Sequence, residues 1–350
     1  MFYTSRDVLR ERIAAYERPH AVRTENRAAF EESAAETRAW LVHASGLDRC
    51  QFTPPNLRLL SRERGEGHTR ERWLMDTEPG ISMPYYVLIP DGIAPGERRP
   101  AILAPHGHNF GASASVIGLR EDPVIAARIE KCNCDYGLQL VREGFVVFCP
   151  EARGMGDRRE VLLQKDEALL ATSCALLSRV GSALGESVIA MWTHDNLALA
   201  EQMREHPLVD PARMACVGLS GGGWQSMWLF ALCPAMRAGV VSGYFYGADE
   251  ALLEKCGNCD CNYFPGLWSH VDMADIAALG APKPFFIETG DADGLNGKSG
   301  VANVLPQVRK LREVYHLYGQ ESAVGHQVFH GSHRWCGEDS IAFLKETLAR

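Results

Sequence analysis

The stretch MACVGLSGGGWQSMWLFAL, residues 214–232, decides how the rest of the chain is read. It opens with a compact apolar run, Met214 to Val217, of the kind that fills a strand buried on both faces. It closes with Trp224 to Leu232, apolar and of helical length. Between them lies Gly218-Leu219-Ser220-Gly221-Gly222-Gly223. A strand that turns into a helix within so few residues needs a bend that side chains obstruct, and glycines around Ser220 remove the obstruction. The bend lifts the Ser220 hydroxyl clear of the sheet, and the helix N-terminus beyond it favours negative charge. Ser220 is thus a candidate nucleophile. The plainer alternative is an N-cap serine flanked by glycines for close packing.

Outward from this stretch, short apolar runs alternate with longer segments of helical periodicity. The runs are Ala101 to Ala104, Phe145 to Cys149, Met214 to Val217, Gly239 to Val241, Phe285 to Ile287 and Gln327 to Phe329. Such alternation signals strand–helix–strand units, hence a mostly parallel sheet covered by helices. Upstream, Leu57 to Leu60, Arg72 to Met75 and Tyr85 to Ile89 are β-like runs separated by the turns Pro79-Gly80 and Asp91-Gly92, an antiparallel entry to the sheet. Residues 6 to about 46 carry apolar residues mostly at helical spacing, with Gly46 as a C-cap, so residues 1–65 are expected to be a helical N-terminal extension. Residues 66–350 then form one α/β catalytic domain. The segment 157–186 is longer than a simple connection and is expected to be a small helical cap.

A serine at its ordinary pKa is a weak nucleophile, so the chain must also supply a base, an orienting acid and an oxyanion hole. In the order Ser, acid, His, the acid follows Phe285-Phe-Ile-Glu-Thr in Gly290-Asp291-Ala292-Asp293. Asp293 is the choice, Asp291 competes, and Glu288 is a poorer third. The histidine follows the last strand in Phe329-His330-Gly331-Ser332-His333; His333 is preferred, and His330 reads as a strand-end surface residue. The oxyanion hole needs a second N–H beside that of Gly221. The loop Pro105-His106-Gly107-His108-Asn109-Phe110-Gly111 lies where it belongs, and that N–H is assigned to His108. Phe110, Trp224, Tyr246 and Tyr263 are expected to line a pocket rich in ring faces, while Arg153 reads as a buried structural cation bonded to loop carbonyls or a carboxylate rather than a substrate ligand.

Composition bounds the rest. A chain of 350 residues, 46% hydrophobic and 23% charged, is an ordinary globular protein, and its net charge of -8 disfavours nucleic-acid or anionic-membrane partners. The eleven cysteines are odd in number and follow no compact disulfide framework, so they read as thiols. The N-terminus lacks an apolar signal core, which points to the cytoplasm. Cys256-x-x-Cys259-x-Cys261 raises the question of zinc, which wants four ligands. With three thiols in one loop and only His270 as a distant fourth, no metal is expected there, nor at His106 and His108, and no cofactor is called for. A small-molecule partner is expected, and a homo-oligomer is compatible with the composition.

Several motifs in one order resemble the α/β-hydrolase superfamily, in particular its branch of bacterial esterases related to acetyl xylan esterases and dienelactone hydrolases. They are His106-Gly-His108, Glu151-Ala-Arg-Gly-Met-Gly156, the GLSGGG turn, Cys259-Asp-Cys-Asn-Tyr-Phe-Pro-Gly266, Asp272-Met-Ala-Asp-Ile276, Gly290 to Asp293 and Gly331 to Trp335. The resemblance covers residues from about 70 to 350. It implies an α/β-hydrolase fold with an eight-stranded, mostly parallel sheet, and cofactor-free serine ester hydrolysis with Ser220, Asp293 and His333 as triad, acetylated carbohydrate being the favoured substrate. A peptidase or amidase, a dienelactone-type hydrolase, and a non-catalytic binding protein are the alternatives. Two positions depart from the pattern: Glu151 stands where such proteins carry Asp, and Gly294-Leu295-Asn296 replaces an apolar-proline run after the acid.

Overall fold

A computed structural model describes residues 3–160, 170–254 and 258–349. The apolar runs become nine strands: β1 (Arg58–Gly65), β2 (His68–Glu78), β3 (Ile81–Pro90), β4 (Arg99–Leu103), β5 (Val146–Pro150), β6 (Val209–Leu219), β7 (Met236–Ser242), β8 (Phe285–Gly290) and β9 (Val324–Phe329). They form one sheet in the order β1-β2-β3-β5-β4-β6-β7-β8-β9. The first three pair antiparallel, β3 meets β5 antiparallel, and from β5 to β9 every pairing is parallel. The sheet thus has nine strands rather than eight. The ninth is the mostly exposed edge strand β1, which overlaps the β-like run Leu57 to Leu60 and lies inside the stretch 1–65 expected to be a helical extension.

Successive residues of each central strand point to opposite faces, and the burial follows. Ala101, Leu103, Phe148, Met214, Cys216, Val241 and Ile287 join one apolar cluster. Ile102, Val147, Ala215, Val217, Val240 and Phe286 join the other. Helices Val188–Glu205 and Gly221–Leu232 cover the first face; Pro123–Cys132, Tyr136–Arg142 and Glu338–Leu348 cover the second. A sheet buried on both faces explains why its strands read as unbroken apolar runs.

The N-terminal region is two helices, Arg6–Ala14 and Arg27–Ser45, separated around Pro19. The second starts at Asn26, whose side chain accepts from Ala29 N–H, and ends at Gly46 with φ 82°. It buries Phe30, Thr37 and Leu41 against the first cluster. The expected cap at 157–186 is a helix over Cys174–Leu184 that follows the short turn Gly156–Arg158; residues 161–169 of it lie outside the described residues. No single helix among the described residues is long and apolar enough to cross a membrane.

Candidate active site

Ser220 stands between the end of β6 and helix Gly221–Leu232 with φ 60° and ψ -126°, a backbone region that residues with side chains avoid. Two hydrogen bonds hold it there: its N–H donates to Ser242 O at 2.9 Å, and Trp224 N–H donates to its carbonyl at 2.9 Å. The glycines have separate reasons. A Cβ on Gly218 would lie 2.2 Å from the backbone of Gly222, and one on Gly222 would lie 2.2 Å from Pro105 O. At Gly221 it would lie 2.6 Å from His108 Nδ1, so Gly221 makes room for the His108 ring.

The ends of β8 and β9 bring the acid and the histidine together. His333 Nδ1 lies 2.7 Å from Asp293 Oδ2, and Asp293 Oδ1 accepts from Leu295 N–H at 2.8 Å. The Asp293 side chain is 1% exposed, and Gly243, with φ 60°, leaves the space that the His–Asp pair occupies. Asp291 lies elsewhere. It is 41% exposed and pairs with His330, itself almost fully exposed, at 3.0 Å. Glu288 is buried under the last helix, accepting from Cys336 N–H, Gly337 N–H and Ser340 Oγ; burial raises its pKa.

The loop after β4 faces Ser220. His106 is wholly buried: its Nδ1 lies 3.0 Å from Gly107 O, and its Nε2 accepts from Ala152 N–H at 3.0 Å. With both nitrogens used and burial pushing its pKa down to about 4, His106 is a neutral structural pin. Gln225, on the helix that follows Ser220, donates to His106 O at 2.9 Å and so ties helix to loop. Gly221 N–H, first in its helix, has no acceptor four residues back and stands beside this loop. Ser220, Gly221, His108, Asp293 and His333 line one cavity of about 700 Å³.

A model of the Abhydrolase family matches residues 6–298. The chain belongs to this family. YtaP of Bacillus subtilis (strain 168), named as a hydrolase, is 26% identical over 289 residues, 80% of this chain and 87% of that protein. A Bacteroides fragilis NCTC 9343 protein named as an acetyl xylan esterase superposes with a TM-score of 0.75 at 20% identity, covering 94% of this chain and 83% of that one. A glucuronoyl esterase from Solibacter usitatus superposes with a TM-score of 0.65 at 14% identity, covering 96% and 98%. At these identities the two structures establish the α/β-hydrolase fold.

Within this Abhydrolase-family fold the pocket is more polar than its aromatic residues suggest. Phe110 lines the cavity, close to the His333 ring. Trp224 does not: it is fully buried among Trp228, Tyr244 and Trp268. Tyr246 is also fully buried, its hydroxyl accepting from Asn258, and Tyr263 packs at the rim of the core instead of lining the cavity. Periodicity cannot tell a ring that faces substrate from one that fills the core behind it. The amides of Asn109, Asn258 and Asn262, the Tyr244 side chain and the cations Arg128 and Lys131 take those places.

Arg153 is buried and makes paired hydrogen bonds to Asp195 at 2.9 and 2.7 Å, with Glu78 as a further partner. Burial alone would raise the Asp195 pKa, but Arg158 and Arg153 outweigh it and hold the carboxylate low. Glu151, the departure from Asp, is accommodated by Gly156, where a Cβ would sit 1.3 Å from the carboxylate. Ser113 Oγ and Asp157 N–H donate to it, and burial still raises its pKa to about 7.

The ligand count that spoke against a metal does not hold in three dimensions. His270 stacks with His20 and Trp40, away from the cysteine loop, and Cys256 lies outside the described residues. Cys174 and His108 come instead to Cys259 and Cys261, from segments far apart in sequence.

Proposed function

We propose that the protein hydrolyses carboxylic esters through an acyl-enzyme, with Ser220 as nucleophile, His333 as base and Asp293 as the acid that orients it. The observation that carries this reading is the 2.7 Å contact between His333 Nδ1 and buried Asp293, beside a serine held at positive φ in the same cavity. Because Asp293 engages Nδ1, that nitrogen carries the proton and Nε2 is free to take the Ser220 Oγ proton. Oγ then attacks the ester carbonyl. The oxyanion accepts from the N–H groups of Gly221 and His108, and helix Gly221–Leu232 adds its N-terminal dipole. Collapse breaks the ester C–O bond, and His333 returns the proton to the leaving alkoxide. Water, deprotonated by His333, attacks the acyl-enzyme, and Ser220 regains its proton.

The lining amides favour an alcohol moiety rich in hydroxyls, and a small acyl group such as acetyl on a carbohydrate fits that polarity. A panel of p-nitrophenyl esters and acetylated sugars, with Ser220→Ala as control, tests this. Turnover of short acyl esters that disappears in the variant is expected. Turnover equal in wild type and variant would sink the assignment.

A further inference from the structure

Beside Ser220, on the wall of the cavity, four side chains from three separate segments meet. His108 comes from the loop after β4, Cys174 from the first residue of helix Cys174–Leu184, and Cys259 and Cys261 from the loop after β7. Their ligand atoms, His108 Nε2 and the three Sγ atoms, all lie within 4.8 Å of one another. His108 Nε2 is 3.1 Å from Cys261 Sγ and 3.5 Å from Cys174 Sγ. Zinc–nitrogen and zinc–sulfur bonds of about 2.0 and 2.3 Å give tetrahedral edges of roughly 3.6 Å between N and S and 3.8 Å between two sulfurs. The two measured N–S separations fall near that edge, and the 4.8 Å bound on the rest leaves at most about 1 Å for the thiols to close.

We propose that His108 Nε2 and the thiolates of Cys174, Cys259 and Cys261 form a closed tetrahedral site for one zinc ion. Three thiolates and an imidazole select a soft or borderline cation over magnesium or calcium, which take oxygen ligands. Four protein ligands leave no position for water, so the ion is structural and does not compete with the chemistry at Ser220. Cys174 and Cys261 are fully buried, while His108 and Cys259 line the cavity, which gives the ion a route of entry. On loading, three thiol protons pass to solvent and four bonds to zinc form.

The bonds would fasten the helix that begins at Cys174 and the cysteine loop to the loop that faces Ser220. They would also fix the His108 ring in the space that Gly221 leaves open, and with it the backbone N–H given to the oxyanion. That last consequence rests on the ester-hydrolase reading; the metal site does not.

The test uses full-length protein purified under reducing conditions without chelator, with metal content measured by mass spectrometry. One zinc per chain is expected, lost in the Cys259→Ser, Cys261→Ser double variant. Cobalt(II) added to the zinc-free protein should give the thiolate charge-transfer and tetrahedral ligand-field bands. If the variant does not fold, alkylation mapping of wild type decides. Zinc should protect Cys174, Cys259 and Cys261 from iodoacetamide, while the half-buried Cys50 and Cys336 keep their own reactivity. Zinc far below one per chain after reconstitution, thiols alkylated alike with and without zinc, a disulfide within the cluster, or full zinc retained by a folded double variant would each overturn the site. None of these readouts uses ester turnover, so failure of the metal site and failure of the esterase reading are separable.

Discussion

Asp291 and Asp293 are two residues apart, and no spacing rule separates them. Burial does: one is half-exposed beside a surface histidine, the other is enclosed and in contact with His333. Asp293→Asn should therefore lower kcat by about 10⁴, because the amide holds the imidazole in the wrong tautomer. Asp291→Asn should leave kcat near wild type. The reverse ranking in steady-state kinetics would move the acid to Asp291. Glu151 offers a second test at this scale. Its folded pKa of about 7 lies above the usual carboxylate value, so the folded state holds the proton more tightly than the unfolded one. Its favourable contribution is present at low pH and is lost as pH rises from about 4.5 to about 7. Buried His106, pushed down to about 4, opposes this over much of the same window, so only the difference between variants is informative. Relative to Glu151→Gln, wild type should lose on the order of 3 kcal/mol across that window. Urea unfolding of both proteins at several pH values measures it, and parallel pH profiles would contradict the assignment.

Helix Arg27–Ser45 bears no recognisable motif, yet it braces the element that carries Ser220. The Arg38 guanidinium donates to Ala231 O, at the end of helix Gly221–Leu232, and to Leu279 O at 2.7 Å. Such a brace is invisible in the sequence, because an arginine between Thr37 and Ala39 reads as an exposed helical position. Arg38→Ala should lower unfolding free energy by about 1–3 kcal/mol, since two carbonyls lose a charged donor. Denaturant titration with an unchanged midpoint would exclude the role. Helix Pro123–Cys132 is expected to bear on selectivity. Arg128 and Lys131 line the cavity and bring positive charge to it. Esters carrying a carboxylate on the alcohol side should therefore bind better than neutral analogues, and Arg128→Gln with Lys131→Gln should raise KM for them alone. An equal effect on neutral esters would contradict an electrostatic cause.

Across the whole molecule, the strand order determines where chemistry can sit. Ser220 follows β6, the His108 loop follows β4, Asp293 follows β8 and His333 follows β9, all at the same ends of parallel strands. This much was legible in the sequence, because buried parallel strands leave unbroken apolar runs and each candidate residue comes directly after one. What could not be read depends on contacts between segments. Rings in the core resemble rings in a pocket, and Cys174 meets Cys259 only once the chain has folded. Gly221 held a clue in hindsight: a serine turn of this type needs small residues on either side at 218 and 222, and the additional glycine at 221 marks where another side chain, His108, presses in.

Ser220, alone among the serines, is expected to react as an activated nucleophile. Labelling of the native protein with a fluorophosphonate, followed by peptide mapping, tests it without any assumption about substrate. One adduct, on Ser220, absent from Ser220→Ala and strongly slowed in Asp293→Asn, is the predicted result. An adduct at another residue, or labelling that persists in Ser220→Ala, would rule Ser220 out as the nucleophile.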